Sequence, residues 1–113
     1  MRSTYILFRE KSGDFIFTFH GPDEQLLLTS LSYTDKDSAL RRINAMRTLA
    51  HRAESFLTCL SPDGKRYFLF RNSRQEILAQ SEMFVDDESL LRAITAVRHT
   101  ARTGKLLDQT TIE

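Results

Sequence analysis

The sequence predicts an α+β protein built from two tandem repeats, each with three strands followed by a helix. Internal similarity is the first observation, because residues 56–101 align with residues 5–50 without a gap, at an offset of 51. Periodicity is the second, since the apolar residues of each repeat change from the alternation of strands to the spacing of a helix. Size is the third, because a repeat of about 50 residues is near the lower limit for building its own core. We therefore expect a single domain over residues 1–113, in which the two repeats share one core.

The residues that are identical between the repeats are mostly of the types that form turns, cores and helix caps. They include Gly13/Gly64, Phe17/Phe68, Phe19/Phe70, Ser30/Ser81, Asp35/Asp86, Arg41/Arg92 and Arg47/Arg98. The repeat is therefore a repeat of fold, and a duplicated scaffold does not by itself identify a reaction.

Each repeat begins with a predicted three-stranded antiparallel meander. Apolar-rich runs flank Gly13 in the first repeat and Gly64 in the second, and glycine supplies the positive φ that a tight hairpin turn favours. The predicted strands are residues 5–10, 15–20 and 25–31 in the first repeat and 56–61, 66–71 and 76–82 in the second.

A helix follows each meander, where apolar residues recur at helical spacing. These residues are Leu40, Ile43 and Ala50, and then Leu91, Ile94 and Ala101. Thr34 or Asp35 in the first repeat and Asp86 in the second are candidate N-caps, because their side-chain oxygens accept bonds from free N–H groups of the first turn. Residues 102–113 form a C-terminal segment, of which residues 104–112 are predicted to add one edge strand.

The composition is typical of a soluble globular protein, with 41% hydrophobic and 27% charged residues. No apolar run approaches the roughly 20 residues that cross a bilayer, and the N-terminus leads directly into a strand, so neither a membrane span nor a signal peptide is expected. Cys59 has no disulfide partner within the chain, which favours a reducing compartment. We expect a cytoplasmic protein, and its net charge of +1 predicts no general attraction to nucleic acid.

Three short segments occur in the first repeat and are echoed in the second. They are FIFTF (15–19), LLLTSLSY (26–33) and RRINAMRTLA (41–50), echoed by RYFLF (66–70), ILAQSEMF (77–84) and RAITAVRHTA (92–101). From Tyr5 to Gln109 their order, spacing and duplication resemble the tandem-repeat members of the YegP-like family of small bacterial proteins. The resemblance implies a single antiparallel sheet built from both repeats, with two helices packed on one face and C-terminal strands exchanged between the halves. It implies no activity and no catalytic residue, because the family is one of unknown function.

The chain departs from that family in its turns. Where the family usually has an Asn-Gly turn between the second and third strands, this chain has Asp23-Glu24 in one repeat and Arg74-Gln75 in the other. Asn-Gly favours the tight type I′ turn, so its loss predicts longer or looser loops at both positions.

Residues that commonly carry catalysis or bind metals do not form a recognisable set. The histidines and the cysteine are too differently placed to predict a metal site. These residues are His20, His51, His99 and Cys59. Ser30 and Ser81 end strands before capped helices, so we expect them to bond local backbone groups rather than to act as nucleophiles. We therefore predict no enzyme activity, no cofactor and no small-molecule ligand.

Repeated arginines on the two helices support an alternative function, because a basic helical surface is able to contact nucleic-acid phosphates. The candidate contacts are Arg41, Arg47, Arg92 and Arg98. The competing interpretation is a solvated helix face, whose charge is balanced by the acids near the start of each helix. Nucleic-acid binding is therefore kept as the weaker alternative.

The face of the sheet opposite the helices is more apolar than a solvated face. With the phenylalanines of the second strands turned toward the helices, strand alternation turns the intervening residues to the opposite face. The candidate interface residues are Phe8, Ile16, Thr18, Tyr67 and Leu69, joined by Ile6, Leu57 and Cys59. Either the C-terminal segment or a loop covers this face, or it is an interface. We predict a non-catalytic protein-interaction or accessory module, whose partner is another protein or a second copy.

Overall fold

The computed structural model describes residues 2–110, in which three strands followed by a helix occur twice. The first repeat contains β1 (Thr4–Arg9), β2 (Phe15–His20), β3 (Leu26–Ser30) and α1 (Lys36–Leu49). The second contains β4 (Phe56–Leu60), β5 (Arg66–Arg71), β6 (Ile77–Ser81) and α2 (Asp87–Thr100), and β7 (Lys105–Asp108) follows it. Short 3₁₀ turns, Ala53–Ser55 and Ala101–Thr103, connect each helix to the next strand.

The strands form one sheet in the order β4-β5-β6-β3-β2-β1-β7. Each meander is antiparallel, and the two meanders join through an antiparallel pair, β3 and β6. The predicted α+β fold is confirmed, and β7 shows the strand exchange, because it follows the second repeat but pairs with β1 of the first. That pair is parallel, so the sheet is mixed rather than purely antiparallel. Residues 111 and 112 of the predicted C-terminal strand lie outside the described residues.

Both helices begin at the predicted aspartates. The Asp35 carboxylate accepts a hydrogen bond from the Ser38 N–H at 2.7 Å, and Asp86 accepts one from the Ser89 N–H at 2.8 Å. These bonds satisfy backbone groups that the first turn of a helix leaves free. They also hold the pKa of both carboxyl groups below its ordinary value. The shared cap explains why aspartate is identical at this position in the two repeats.

A single hydrophobic core lies between the sheet and the helices, and both repeats contribute to it. Its members include Phe17, Phe19, Phe68 and Phe70 from the sheet and Ile43, Met46, Ala93 and Val97 from the helices. The four phenylalanines are fully buried, which confirms their predicted orientation. Burying such a side chain contributes about 1.5–3 kcal/mol to stability. Because both repeats supply these side chains, each repeat is stabilised partly by core residues of the other.

Ser30 and Ser81 bind backbone groups, as predicted. The Ser30 hydroxyl accepts a hydrogen bond from the Phe17 N–H at 2.9 Å and donates one to the Leu31 carbonyl at 2.7 Å. Ser81 makes the two equivalent bonds in the second repeat. Both hydroxyl groups therefore serve the fold at the end of the third strand.

The turns between the second and third strands are closed by hydrogen bonds, so they are not looser, but each encloses three residues and is one residue longer than a type I′ loop. The Gln25 carbonyl accepts a bond from the Gly21 N–H at 2.8 Å, and the Glu24 N–H donates one to the Gly21 carbonyl at 2.9 Å. Glu24 has a φ of 67° and Gln75, its equivalent, a φ of 70°. Residues with a Cβ adopt this left-handed conformation only at some cost, which the surrounding hairpin offsets.

Candidate functional site

The outer face of the sheet, opposite the helices, carries the predicted interface residues. Strand register places Phe8 beside Ile16, and Leu57 beside Leu69. The apolar side chains form two patches, one in each repeat. The first-repeat patch consists of Ile6, Phe8 and Ile16, and the second-repeat patch of Leu57, Cys59, Tyr67 and Leu69.

A polar strip separates the two patches. Thr18 of β2 pairs with Thr29 of β3, which in turn pairs with Gln80 of β6. Gln80 then pairs with Leu69 of β5. Since neighbouring strands are about 4.8 Å apart, Thr18 and Leu69 are separated by roughly 14 Å across the sheet. The predicted residues therefore do not form one continuous surface, because Thr18 belongs to the polar strip and Ile16 and Leu69 lie in different patches.

The described C-terminal residues leave the outer face open. β7 lies beside β1 as an additional strand, with Leu107 next to Ile6, instead of folding across the sheet. Ile16 and Leu69 are partly exposed, and Leu57 is 38% exposed. Residues 105–110 therefore do not cover this face, and contact with them does not explain why it is apolar.

The second-repeat patch includes one polar group that is less acidic than usual, the Tyr67 hydroxyl. The electrostatic effect of the neighbouring Cys59 raises the pKa of Tyr67, and desolvation raises it further. Tyr67 therefore keeps its proton at physiological pH and presents a hydrogen-bond donor beside Leu69. An apolar patch with one hydrogen-bond donor at its margin has the composition that is typical of protein–protein interfaces.

The four arginines of the nucleic-acid alternative fall into two separate pairs. Arg41 and Arg92 lie near the starts of the helices, where each donates to a serine hydroxyl of the preceding turn. Arg47 and Arg98 lie in the last turns. Within one helix the two positions are about 9 Å apart along the axis, so the predicted set is not a single cluster.

Arg47 and Arg98 make reciprocal contacts between the repeats. Arg98 Nη2 donates a hydrogen bond to the His51 carbonyl at 2.9 Å, and Arg47 Nη1 donates one to the Arg102 carbonyl at 3.2 Å. Residues 51 and 102 are equivalent, so each helix places an arginine at the end of the other helix. Free carbonyl groups at a helix C-terminus favour such a cation. From the sequence, both arginines are expected near helix C-terminal ends, where their charge complements the helix dipole, but the sequence does not predict that each contacts the end of the other helix.

Arg47 makes two further contacts. Its Nη1 donates to the Gly104 carbonyl at 2.6 Å, and its guanidinium carbon lies 4.7 Å from the centre of the Tyr5 ring. The Tyr5 hydroxyl donates to the Ala101 carbonyl at 2.7 Å, and burial raises the pKa of Tyr5 although the Arg47 charge opposes this. These contacts join α1, β1 and the segment that leads into β7.

The ends of the two helices enclose a basic cleft of about 670 Å³. Its basic lining residues are Arg47, His51, Arg98, His99 and Arg102, and none of the lining residues within 2–110 is acidic. Arg47 and Arg98 are bound to carbonyl groups, whereas the side chains of His51, His99 and Arg102 are exposed. Such a cleft has the charge to accept an anion.

Two features of other classes of protein are absent from residues 2–110. No helix in this range is both long and apolar enough to cross a membrane. Over the same range, no three His, Cys, Asp or Glu side chains come together in a way that would hold a metal ion.

Comparison with known proteins identifies relatives of unknown function. Residues 61–108 match the family described as Domain of unknown function (DUF1508). The UPF0339 protein PA0329 of Pseudomonas aeruginosa is 26% identical over 109 residues, which cover 96% of this chain and 99% of the relative. The UPF0339 protein YegP of Escherichia coli K12 is 24% identical over 110 residues, covering 97% of this chain and 100% of the relative.

Two solved structures share the fold. The solution NMR structure of the UPF0339 protein SO3888 from Shewanella oneidensis matches with a TM-score of 0.92 at 23% identity, covering 97% of this chain and 93% of that one. The solution NMR structure of yegP from E. coli, described as a protein of unknown function, matches with a TM-score of 0.93 at 24% identity, covering 100% and 97%. Residues 61–108 thus match the DUF1508 model and the chain is similar to UPF0339 proteins along its length, which confirms its resemblance to the YegP-like family.

Proposed function

We propose that this protein is a non-catalytic interaction module, which binds another protein or a second copy of itself through the apolar patches of its outer sheet face. The observation that carries the proposal is the pairing of apolar side chains on a face that residues 105–110 leave open. An antiparallel sheet with one solvated face normally presents polar residues there. Contiguous exposed apolar groups are typical of association sites.

Charge introduced into the patches tests this proposal. We expect Ile16→Glu and Leu69→Glu each to weaken association roughly tenfold or more, because complete burial of such a side chain contributes about 1.5–3 kcal/mol. Sedimentation velocity measures self-association, and affinity recovery from nuclease-treated lysate measures binding to other proteins. Near-UV circular dichroism reports whether the fold is intact.

Thr29→Glu is the matched control, because it adds the same charge to the polar strip of the same face. It should leave association unchanged. If the glutamate variants retain the wild-type oligomeric state and recover the same proteins, the outer face is not the interface. Loss of the fold in Ile16→Glu or Leu69→Glu would instead assign these residues to the intramolecular core.

Nucleic-acid binding is the second candidate, and the basic cleft favours it. Because Arg47 and Arg98 hold the helix ends, the informative change is Arg102→Ala, with the exposed Arg52→Ala outside the cleft as its control. Arg102→Ala should weaken RNA or DNA binding and reduce its salt dependence, since each phosphate contact releases counterions. Fluorescence anisotropy measures both effects. Wild-type protein that binds neither nucleic acid at low salt would eliminate this candidate.

A further inference from the structure

The two ends of the sheet are not equivalent, although the repeats are. β1, the first strand of repeat one, has β7 on its outer side. β4, the corresponding strand of repeat two, pairs with β5, and no other strand within residues 2–110 pairs with it. The outer edge of β4 therefore presents backbone groups of the kind that β1 uses to bind a strand.

The sequence of β4 does not protect this edge. Its five residues, FLTCL, include no charged residue and no proline, which are the usual means of preventing edge-to-edge pairing. β7 at the opposite edge begins with Lys105 and ends with Asp108. Two exposed leucines lie beside the β4 edge, Leu60 at 66% and Leu91 at 59% exposure, together with the ion pair of Arg66 and Asp87. Leu60 and Leu91 line a cleft of about 480 Å³ that has room for a neighbouring side chain.

Hydrogen bonds fix which backbone groups of β4 point outward. Just beyond β4, the Ser61 N–H donates to the Lys65 carbonyl at 2.8 Å, so Ser61 belongs to a bonded pair with the β5 side. Bonded and non-bonded pairs alternate in an antiparallel ladder. The backbone groups of Thr58 and Leu60 therefore point away from β5, toward the open edge, as does the carbonyl of Phe56, whose N–H is bonded to the Ala53 carbonyl. Repeat one agrees, since the carbonyl of Leu7, which is equivalent to Thr58, accepts a bond from the Gln109 N–H.

We propose that two copies of this protein associate by antiparallel pairing of their β4 strands about Thr58, which continues the sheet across the dimer. In this register Thr58 faces Thr58 of the partner subunit, and Phe56 faces Leu60 of the partner subunit. The two Thr58 residues thus form both backbone bonds of their pair, whereas each Phe56 accepts one bond through its carbonyl, because its own N–H donates to the Ala53 carbonyl. Leu60 gains the partner's Phe56 as a neighbour, and the second-repeat patches of the two copies become adjacent.

A second copy fits this edge better than an exchanged β7. Exchange would require β7 to leave β1, and Arg47 holds its start through the Gly104 carbonyl at 2.6 Å while Lys36 holds Asp108 at 2.6 Å. The segments that flank β4 also suit self-pairing, because each contains one basic and one acidic residue. These residues are Arg52 and Glu54 before the strand and Asp63 and Lys65 after it.

A proline at the centre of β4 tests the proposal. Thr58→Pro removes an outward N–H that β5 does not use, so the monomer is expected to keep its fold. Two bonds per dimer are lost, and the dissociation constant should rise roughly tenfold or more. Thr58→Val is the matched control, because it keeps the N–H and removes only the hydroxyl. Sedimentation equilibrium over a range of concentrations should show dimers for wild type and Thr58→Val, and monomers for Thr58→Pro at the same concentrations.

Disulfide trapping tests the register independently. Cys59 faces Leu57 of the partner subunit in a non-bonded pair with Cα atoms about 4.5 Å apart, which suits a disulfide. Leu57→Cys should therefore form a covalent dimer under mild oxidation, with bonds between positions 57 and 59 identified by peptide mass. Wild-type Cys59 and Cys59 of the partner subunit lie about 7–8 Å apart on the diagonal and should cross-link poorly. Ile6→Cys, at the equivalent position of the covered strand β1, is the matched control.

Three outcomes would overturn the proposal. They are wild-type protein that stays monomeric at every concentration, Thr58→Pro that dimerises as strongly as Thr58→Val, and Leu57→Cys that cross-links no better than Ile6→Cys. The pairing does not rest on the proposed function, because its hydrogen bonds are made by the edge of the sheet, although it also brings Leu57 and Cys59 of the second-repeat patch against the partner subunit. A dimer that survives Thr58→Pro but is lost in Leu69→Glu would support the outer face and reject the edge.

Discussion

We expect that neither repeat folds alone. Residues 1–54 and residues 55–113, produced separately, are each expected to lose all slowly exchanging backbone amides. The first fragment lacks α2 and β7, and the second lacks β1, on which β7 is bound. Each fragment also loses the part of the shared core that the other contributes. Amide hydrogen exchange followed by mass spectrometry measures the effect, because exchange is slow only where structure persists.

Mixing the two fragments provides the control for this result. Slow exchange should return in the mixture at the strands and helices of both, since the interface between them is the core itself. The expected loss in the separate fragments is complete, as a small domain has only about 5–15 kcal/mol of stability to lose. Slow exchange throughout an isolated monomeric fragment would instead show that the repeats are independent domains.

Replacement of Arg47 is expected to destabilise the protein by about 3 kcal/mol. Arg47→Met keeps most of the aliphatic stem but removes the hydrogen bonds to the Arg102 and Gly104 carbonyls and the contact with the Tyr5 ring. Bonds from a charged donor contribute about 1.5–3 kcal/mol, and the cation–π contact contributes about 0.5–2 kcal/mol. Urea unfolding measures the change in the free energy of unfolding.

Arg98→Met is the matched control at the equivalent position. Arg98 is exposed and donates one bond, to the His51 carbonyl, so we expect a loss of about 1 kcal/mol. Equal effects of the two changes would contradict the role of Arg47 in fixing the segment before β7. Loss of nucleic-acid binding with unchanged stability would assign both arginines to a phosphate site.

Local patterns predicted most of the fold. The predicted strand at residues 25–31 corresponds to β3, Leu26–Ser30, and Asp35 and Asp86 are the caps that the pattern indicated. The parallel direction of β7 was not predictable from Lys105–Asp108, because four residues with no preference of their own take the direction that β1 imposes. The left-handed backbone conformation of Glu24 was also not predictable from the sequence. Glutamate does not favour this conformation, and the closed hairpin imposes it.

The candidate site was predicted in composition but not in arrangement. Strand alternation placed Ile16 and Leu69 on the same face, which the register supports. Their separation depends on the pairing of β3 with β6, which puts Thr29 and Gln80 between them. That pairing links distant parts of the chain, and hydrophobic periodicity within one strand carries no information about it. The open edge of β4 depends on the same long-range order.

Photocrosslinking in the cells of the native host shows directly whether the outer face of the sheet contacts another protein. The photoreactive residue p-benzoylphenylalanine would replace Tyr67 in one variant, Ile16 in a second, and the exposed Asn44 of α1 in a control. If the outer face binds protein, positions 67 and 16 should form light-dependent covalent adducts of higher mass, and position 44 should form none. Adducts absent from both sheet positions, or the same adducts from all three, would contradict it.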